Sequence, residues 1–179
     1  MSGRRFFVVV LCVFATGDVF ACSIGGSWKF EPTLEDWERE PGPKSFSKDA
    51  EGPYWIPVPA PIVTVTNIVR GTAPPGATCM DAGILFIDVA LPDASPYEIG
   101  EFGVYFRVAD RTQSVQIFSD VPLHGDVQDG AMKIVIPWLD GHPRQQSDLN
   151  LDVEAFLVTN ALNIGPATKF SVVSRVKRR

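Results

Sequence analysis

The sequence predicts an all-β protein: seven antiparallel strands in a two-sheet sandwich, preceded by an N-terminal extension. Three observations carry that expectation. Apolar and polar residues alternate along short runs, as a sheet needs when one face is buried and the other meets water. Turn-forming residues punctuate those runs, with 15 Gly and 15 Pro among 179 residues. Beyond residue 61 no stretch has a helical period, so no helices are available to connect parallel strands.

The strands follow in order. The first, 62–69, reads IVTVTNIV. A Pro/Gly loop over 71–77 and Cys79 lead to the second, 84–91 (ILFIDVAL), which the Pro92-Asp93-Ala94-Ser95-Pro96 breaker ends. The third is 102–108 (FGVYFRV), and a weaker run at 115–118 gives the fourth. The turn signal Asp129-Gly130 precedes the fifth, 132–136. In the sixth, 149–157, Leu149, Leu151, Val153, Ala155 and Leu157 alternate with Asn150, Asp152 and Glu154. The seventh covers about 168–176, and Lys177-Arg178-Arg179 forms a basic tail.

The N-terminus follows the order of a secretory signal peptide. Arg4 and Arg5 precede an apolar run over 6–15, and Val19-Phe20-Ala21 offers a cleavage site before Cys22. That run is about half the ~20 residues a membrane-spanning helix needs. Val19-Phe20-Ala21-Cys22 also resembles the lipobox of bacterial lipoproteins, although Leu is usual where Val19 stands and a small residue where Phe20 stands. This resemblance implies that Cys22 becomes the lipidated first residue. The same residues read equally as an ordinary Ala-x-Ala-like site. Cys12 leaves with the signal peptide, so an unlipidated Cys22 has Cys79 as a disulfide partner in an oxidising compartment. Arg4-Arg5-x-Phe7-Val8 partly satisfies the twin-arginine export pattern as well.

The expected organisation is therefore a signal peptide at 1–21, a Pro-rich tether or extension at 22–61, a sandwich domain at 62–176 and the tail at 177–179. Within the extension, residues 32–39 suit one short helix, with Pro32 in its first turn and Glu35 and Asp36 near its start. The prolines from 41 onward suit an extended tether. Trp28, Phe30, Trp37, Phe46, Tyr54 and Trp55 do not, because a spacer has no use for aromatics. They either pack back on the domain or form an exposed surface for a protein or glycan.

A family resemblance enters at Asn160-Ala161-Leu162-Asn163-Ile164-Gly165-Pro166. It is similar to the loop before the last strand of fibronectin type III domains, where an Asn closes the penultimate strand and a Gly-Pro-like pair opens the last. Pro59-Ala60-Pro61 before the first strand fits the same family. The resemblance covers roughly residues 59–176 and implies an immunoglobulin-like (fibronectin type III-like) sandwich, displayed modularly and binding through sheet faces or end loops. The family's Trp in the second strand and Tyr at the start of the 149–157 strand are absent; Trp138 is a candidate to fill the core instead.

Chemistry-bearing constellations are scarce. The histidines, His124 and His142, both sit in turn-like settings, and no Gly-x-Ser-x-Gly is present. Two isolated histidines do not make a zinc site. Asp148-x-Asn150-x-Asp152 lacks the Gly and closing Glu of a calcium loop and reads as the wet face of a strand. Asp120, Asp126 and Asp129 offer one loop with calcium affinity. Glu35, Asp36, Glu38 and Glu40 read as the wet face of the short helix. No phosphate-binding Gly loop occurs. No enzyme activity, metal or cofactor is therefore expected. With 16 Lys+Arg against 21 Asp+Glu and a net charge of −5, nucleic acid is an unfavourable partner.

The expected function is a non-catalytic envelope binding or structural module, exported and either lipid-anchored or periplasmic. Its membrane contact is expected only through the lipid anchor, and its partner is a protein or polysaccharide. Three loop regions are candidates for binding: Tyr97 and Ile99 in the 92–101 turn, Leu162 and Ile164 in the 160–167 loop, and Trp138, His142 and Arg144 in 137–147. Each apolar residue among them has the alternative of closing an end of the sandwich. A subunit joined to a larger assembly by sheet-edge addition is a rival function. So is a hydrolase whose carboxylates meet only in space.

Overall fold

A computed structural model of the chain describes residues 25–31, 58–72, 81–109 and 116–176. The expected signal peptide, Cys22, Cys79, the helix at 32–39 and the tail at 177–179 lie outside the described residues.

Among the described residues nine strands form two antiparallel sheets. One sheet has the order β2-β3-β7-β6, built from β2 (Ile62–Val69), β3 (Ala82–Ala90), β7 (Ala131–Leu139) and β6 (Asp126–Gln128). The other has the order β1-β5-β4-β8-β9, built from β1 (Trp28–Lys29), β5 (Leu123–His124), β4 (Gly103–Val108), β8 (Leu149–Val158) and β9 (Thr168–Ser174). A 3₁₀ turn at Ile99–Glu101 leads into β4.

The alternation that predicted the strands also supplies the core. Leu85, Ile87, Val89, Met132, Ile134 and Ile136 point inward from the four-stranded sheet, and Val104, Phe106, Leu151, Val153, Leu157 and Val172 from the five-stranded one. Fully burying side chains of this size stabilises the fold by about 1.5–3 kcal/mol each. Val63, Val65 and Ile68 pack inward from β2, and a bulge between Val65 and Asn67 keeps Ile68 on that face. The extra residue, Thr66, turns its hydroxyl to the Phe86 carbonyl at 3.3 Å.

The count exceeds seven because three short strands were not foreseen and one expected strand is absent. β5 and β6 belong to different sheets, and Gly125 lies between them. A Cβ at Gly125 would run into the Lys133 carbonyl oxygen, so the change of sheet needs glycine there. The weak run at 115–118 contains no strand in its described part. Ile117 and Phe118 are both buried in the core, whereas successive strand residues point to opposite faces. The Asp129-Gly130 turn joins β6 to β7 with φ of 52° and 75°, the left-handed pair that two-residue hairpins favour.

Residues 25–31, assigned above to the tether or extension, run against the sandwich. Ser27 N–H donates to the Val135 carbonyl at 3.0 Å, and Val135 N–H donates to Ser27 Oγ at 2.8 Å. The chain then crosses to the other sheet, where Trp28 and Lys29 pair with His124 and Leu123. This strap extends the β7 edge beyond the end of β6. It also explains how Pro137 is accommodated. The N–H groups of residues two apart point to the same side of a strand, and on the side where Val135 meets Ser27, Pro137 lies against Gly26.

The registers define two ends. Ala90 pairs with Ala131 and Gly103 with Val158, and Thr168 Oγ donates to the Pro61 carbonyl. The 91–102 loop, the 129–130 turn and the 159–167 loop therefore share one end. Ala82 pairs with Leu139 and Leu149 with Ser174, which places the 139–149 segment and the exit of β9 at the other.

Candidate functional site

The strap builds an aromatic ledge on the outer face of the five-stranded sheet. Leu123 belongs to the core, so His124, its neighbour on β5, points outward. Trp28 stands opposite His124 in the register, with ring centroids 5.4 Å apart. Phe30 stacks on the imidazole at 5.7 Å and an interplanar angle of 10°, while the Trp28 ring is tilted to it by 36°. Both aromatic rings thus contact His124.

Each member is held by a separate device. Phe30 is buried because Gly103 on β4 leaves room beneath it; a Cβ there would meet the Phe30 ring and its Cβ. Phe30 N–H donates to the Pro122 carbonyl at 2.9 Å. His124 Nε2 lies 3.1 Å from the Gly100 carbonyl oxygen, an acceptor, so Nε2 carries a proton. Nδ1 is buried, with no hydrogen-bond partner among the described residues. Trp28 remains 48 % exposed. Trp28, Lys29, Phe30, Glu31 and His124 line a shallow groove of roughly 400 Å³.

The aromatic surface continues along β4 and β8. Tyr105 and Phe156 pair across these strands with ring centroids 6.2 Å apart, and the Arg107 guanidinium lies over the Phe156 ring at 5.1 Å. Arg107 also bonds Glu154. Phe156 and Val158 face outward yet are buried, because the 159–167 loop folds back over them. Ile164 bridges to Val158, and with Leu162 it forms a second small cluster outside the main core.

The residues singled out from the sequence are distributed over both ends. Tyr97 and Ile99 sit at the end of the 91–102 loop. Ile99 is buried in the main core, and Tyr97 packs edge-on against Phe102 at 5.4 Å. Ile164 is buried and Leu162 half-buried in the small cluster, at that same end. Trp138 is a core residue at the opposite end, its ring filling the space a Gly83 side chain would take. His142 and Arg144 lie beyond it in the 139–149 segment, Arg144 exposed, with Arg144 N–H donating to His142 Nδ1 at 3.1 Å. These candidates thus do not converge, and Ile99, Trp138 and Ile164 present little surface. Cys22 and Cys79 lie outside the described residues.

The ledge combines three residues the sequence marked for other reasons, two aromatics of the extension and a turn histidine. What joins them is the pairing of a two-residue strand, too short for periodicity to reveal. Among the described residues no group of three or more His, Cys, Asp or Glu could hold a metal ion, and no helix is long and apolar enough to cross a membrane. The ledge presents the exposed Trp28 ring beside one cation, Lys29, and one carboxylate, Glu31. Compared with protein-family models, with curated proteins and with solved structures, the chain matches none.

Proposed function

We propose that this chain is a non-catalytic binding module of the cell envelope, exported and anchored by lipid at Cys22, that engages a protein or polysaccharide partner on the Trp28–His124–Phe30 ledge. One observation carries the reading: Trp28 is half-exposed yet fixed in place by strand pairing and ring stacking. A surface Trp held this way has little conformational freedom to lose on binding. A shallow groove with an exposed indole face favours a sugar ring over a large apolar protein patch, because the flat C–H face of a sugar covers an indole well.

The strand order supports an immunoglobulin-like assignment. In that class one sheet runs A-B-E-D and the other C-F-G, with C′ added beside C in some members. Here β2-β3-β7-β6 reads as the first order and β5-β4-β8-β9 as the second, with β1 as an addition at the C′ edge.

The test is co-sedimentation of the mature chain with insoluble envelope polysaccharide, wild type against Trp28→Ala. Retention of the wild type and loss of the variant supports the reading. Equal retention of both, or none of either together with no Trp28-dependent crosslink to an envelope protein, removes it.

Sheet-edge addition is a second reading that a specific feature favours. β9 is an edge strand of seven residues with Val173 exposed, whereas the other long edge, β2, is interrupted by its bulge.

A further inference from the structure

We propose that the groove between the 3₁₀ turn and the β6–β7 hairpin docks a lysine or arginine side chain of a basic polypeptide. This surface is separate from the ledge and does not depend on what the ledge binds.

The groove exists because an inward-facing position is left uncovered. Val127 stands opposite Met132 in the β6–β7 pair, and directly opposed residues share a face of the sheet. Met132 is fully buried in the core, whereas Val127 is 47 % exposed. The two differ in place: β7 lies inside its sheet and β6 is the edge. The 3₁₀ turn closes only part of this opening. A Cβ on Gly100 would lie 3.7 Å from Val127 Cγ2, so the turn passes close beside the valine. Leu91, Tyr97, Ile99 and Val127 wall the remaining groove of about 390 Å³, and Glu98 lines it as well.

Charge around the groove has one sign. The two segments that form it, 91–102 (LPDASPYEIGEF) and 125–132 (GDVQDGAM), contain no Lys, Arg or His. They carry Asp93, Glu98, Glu101, Asp126 and Asp129, all exposed. Asp126 stands opposite Lys133, which is itself bonded to Asp88. The other four have no cation within their own segments. Glu101 is held in position by a capping box, its Oε2 accepting the Glu98 N–H at 3.4 Å. The turn is also tied to β5, because the Gly100 carbonyl accepts from His124 Nε2 at 3.1 Å. Carboxylates gathered on fixed backbone repel one another until a cation joins them.

An aliphatic wall beneath an acidic rim matches one kind of occupant. Lys and Arg side chains lay an alkyl stem along apolar surface and keep a cationic head in polar surroundings. A sugar ring is a poorer match, since three of the four apolar wall residues are aliphatic. A bare metal ion makes no use of such a wall, and among the described residues no group of three or more His, Cys, Asp or Glu could hold one.

The test is a titration of the mature chain with hexalysine, followed by amide NMR. Shifts are expected to concentrate at Gly100, Val127 and Gly130. The double variant Glu98→Gln, Glu101→Gln keeps hydrogen-bond acceptors in the capping box but removes both charges, and should weaken binding about fivefold. Val127→Ser leaves the charge unchanged and should weaken it about threefold. Hexaornithine, equal in charge and one methylene shorter in each side chain, should bind about twofold less well. Asp148→Asn, at the opposite end and still able to accept the Val176 N–H, should bind as the parent does, as should Trp28→Ala. Thermal unfolding checks that each variant folds; if Val127→Ser does not, the glutamine variant and hexaornithine decide.

Shifts spread over the whole surface overturn the proposal, as does a loss in Asp148→Asn as large as in the glutamine variant. So does a titration insensitive to both Val127 and stem length. Loss of binding in Trp28→Ala overturns it by placing the peptide on the ledge. Concentration-dependent shifts at the same three residues without peptide put a second copy in the groove and overturn it too. Peptide binding retained in Trp28→Ala, with no polysaccharide co-sedimentation and no Trp28-dependent crosslink in the parent, supports the groove and removes the ledge reading alone.

Discussion

Arg70 and Asp140 face each other through two parallel hydrogen bonds of 2.8 Å, Nε to Oδ2 and Nη2 to Oδ1. The Asp140 side chain is only 4 % exposed. It also accepts Gly71 N–H at 2.7 Å and Trp138 Nε1–H at 3.3 Å, so one carboxylate ties β2, β7 and the core tryptophan together. Removing one partner of such a pair leaves a buried charge uncompensated. Asp140→Ala is expected to lower stability by about 3 kcal/mol, read as a fall in the urea midpoint at unchanged slope. The double variant Arg70→Met, Asp140→Leu should recover part of that loss; a double variant no better than the single would mean the carboxylate acts mainly through Gly71 and Trp138.

Phe30 and Trp28 should separate stability from binding. Phe30 is buried over Gly103, and truncating a buried Phe costs about 3 kcal/mol or more. Trp28→Ala removes a half-exposed ring and should change stability by no more than about 0.5 kcal/mol while abolishing retention on the partner. Thermal unfolding of both variants alongside the co-sedimentation assay checks the split. A Trp28→Ala chain as unstable as Phe30→Ala would make the stack purely architectural.

Gly125 is expected to tolerate no side chain. The obstacle to a Cβ is the Lys133 main-chain carbonyl, which cannot move aside as a side chain could. Gly125→Ala should cost at least the roughly 1–3 kcal/mol typical of overpacking and loosen the β5–β6 crossover. Faster amide exchange at Asp126 and Val127 than in the parent would show it; unchanged exchange would mean that the crossover relaxes without cost.

The solution state of the mature chain distinguishes the two functional readings. Light scattering after size exclusion is expected to give one monomeric species across a wide concentration range. A species that grows with concentration and disappears in Val173→Lys would favour edge addition through β9.

Sequence and structure agree where periodicity has room to act. β2, β3, β4, β7, β8 and β9 each run six residues or more, and their alternating apolar residues place the core directly. Agreement fails for β1, β5 and β6, whose two or three residues carry no period. It fails also at Phe156 and Val158, where an outward position is apolar because the loop that follows folds back over it. The ledge was half-legible: the aromatics of the extension marked it as more than a spacer, but only pairing across 96 residues, from Trp28 to His124, brings the imidazole against the two rings. The loop candidates drew notice because they are apolar, and several are apolar because they close the ends of the sandwich.

The two hydrogen bonds between Ser27 and Val135 span 108 positions. On a chain made from its N-terminus, Ser27 arrives long before the strand it binds, and closing so large a loop is entropically costly until other contacts have formed. The strap therefore docks late. Until then residues 25–31 have no partner strand; once the strap closes, they are tied to both sheets. Completion of the fold thus waits on one short stretch of chain, and its timing is set by how quickly β7 takes its place.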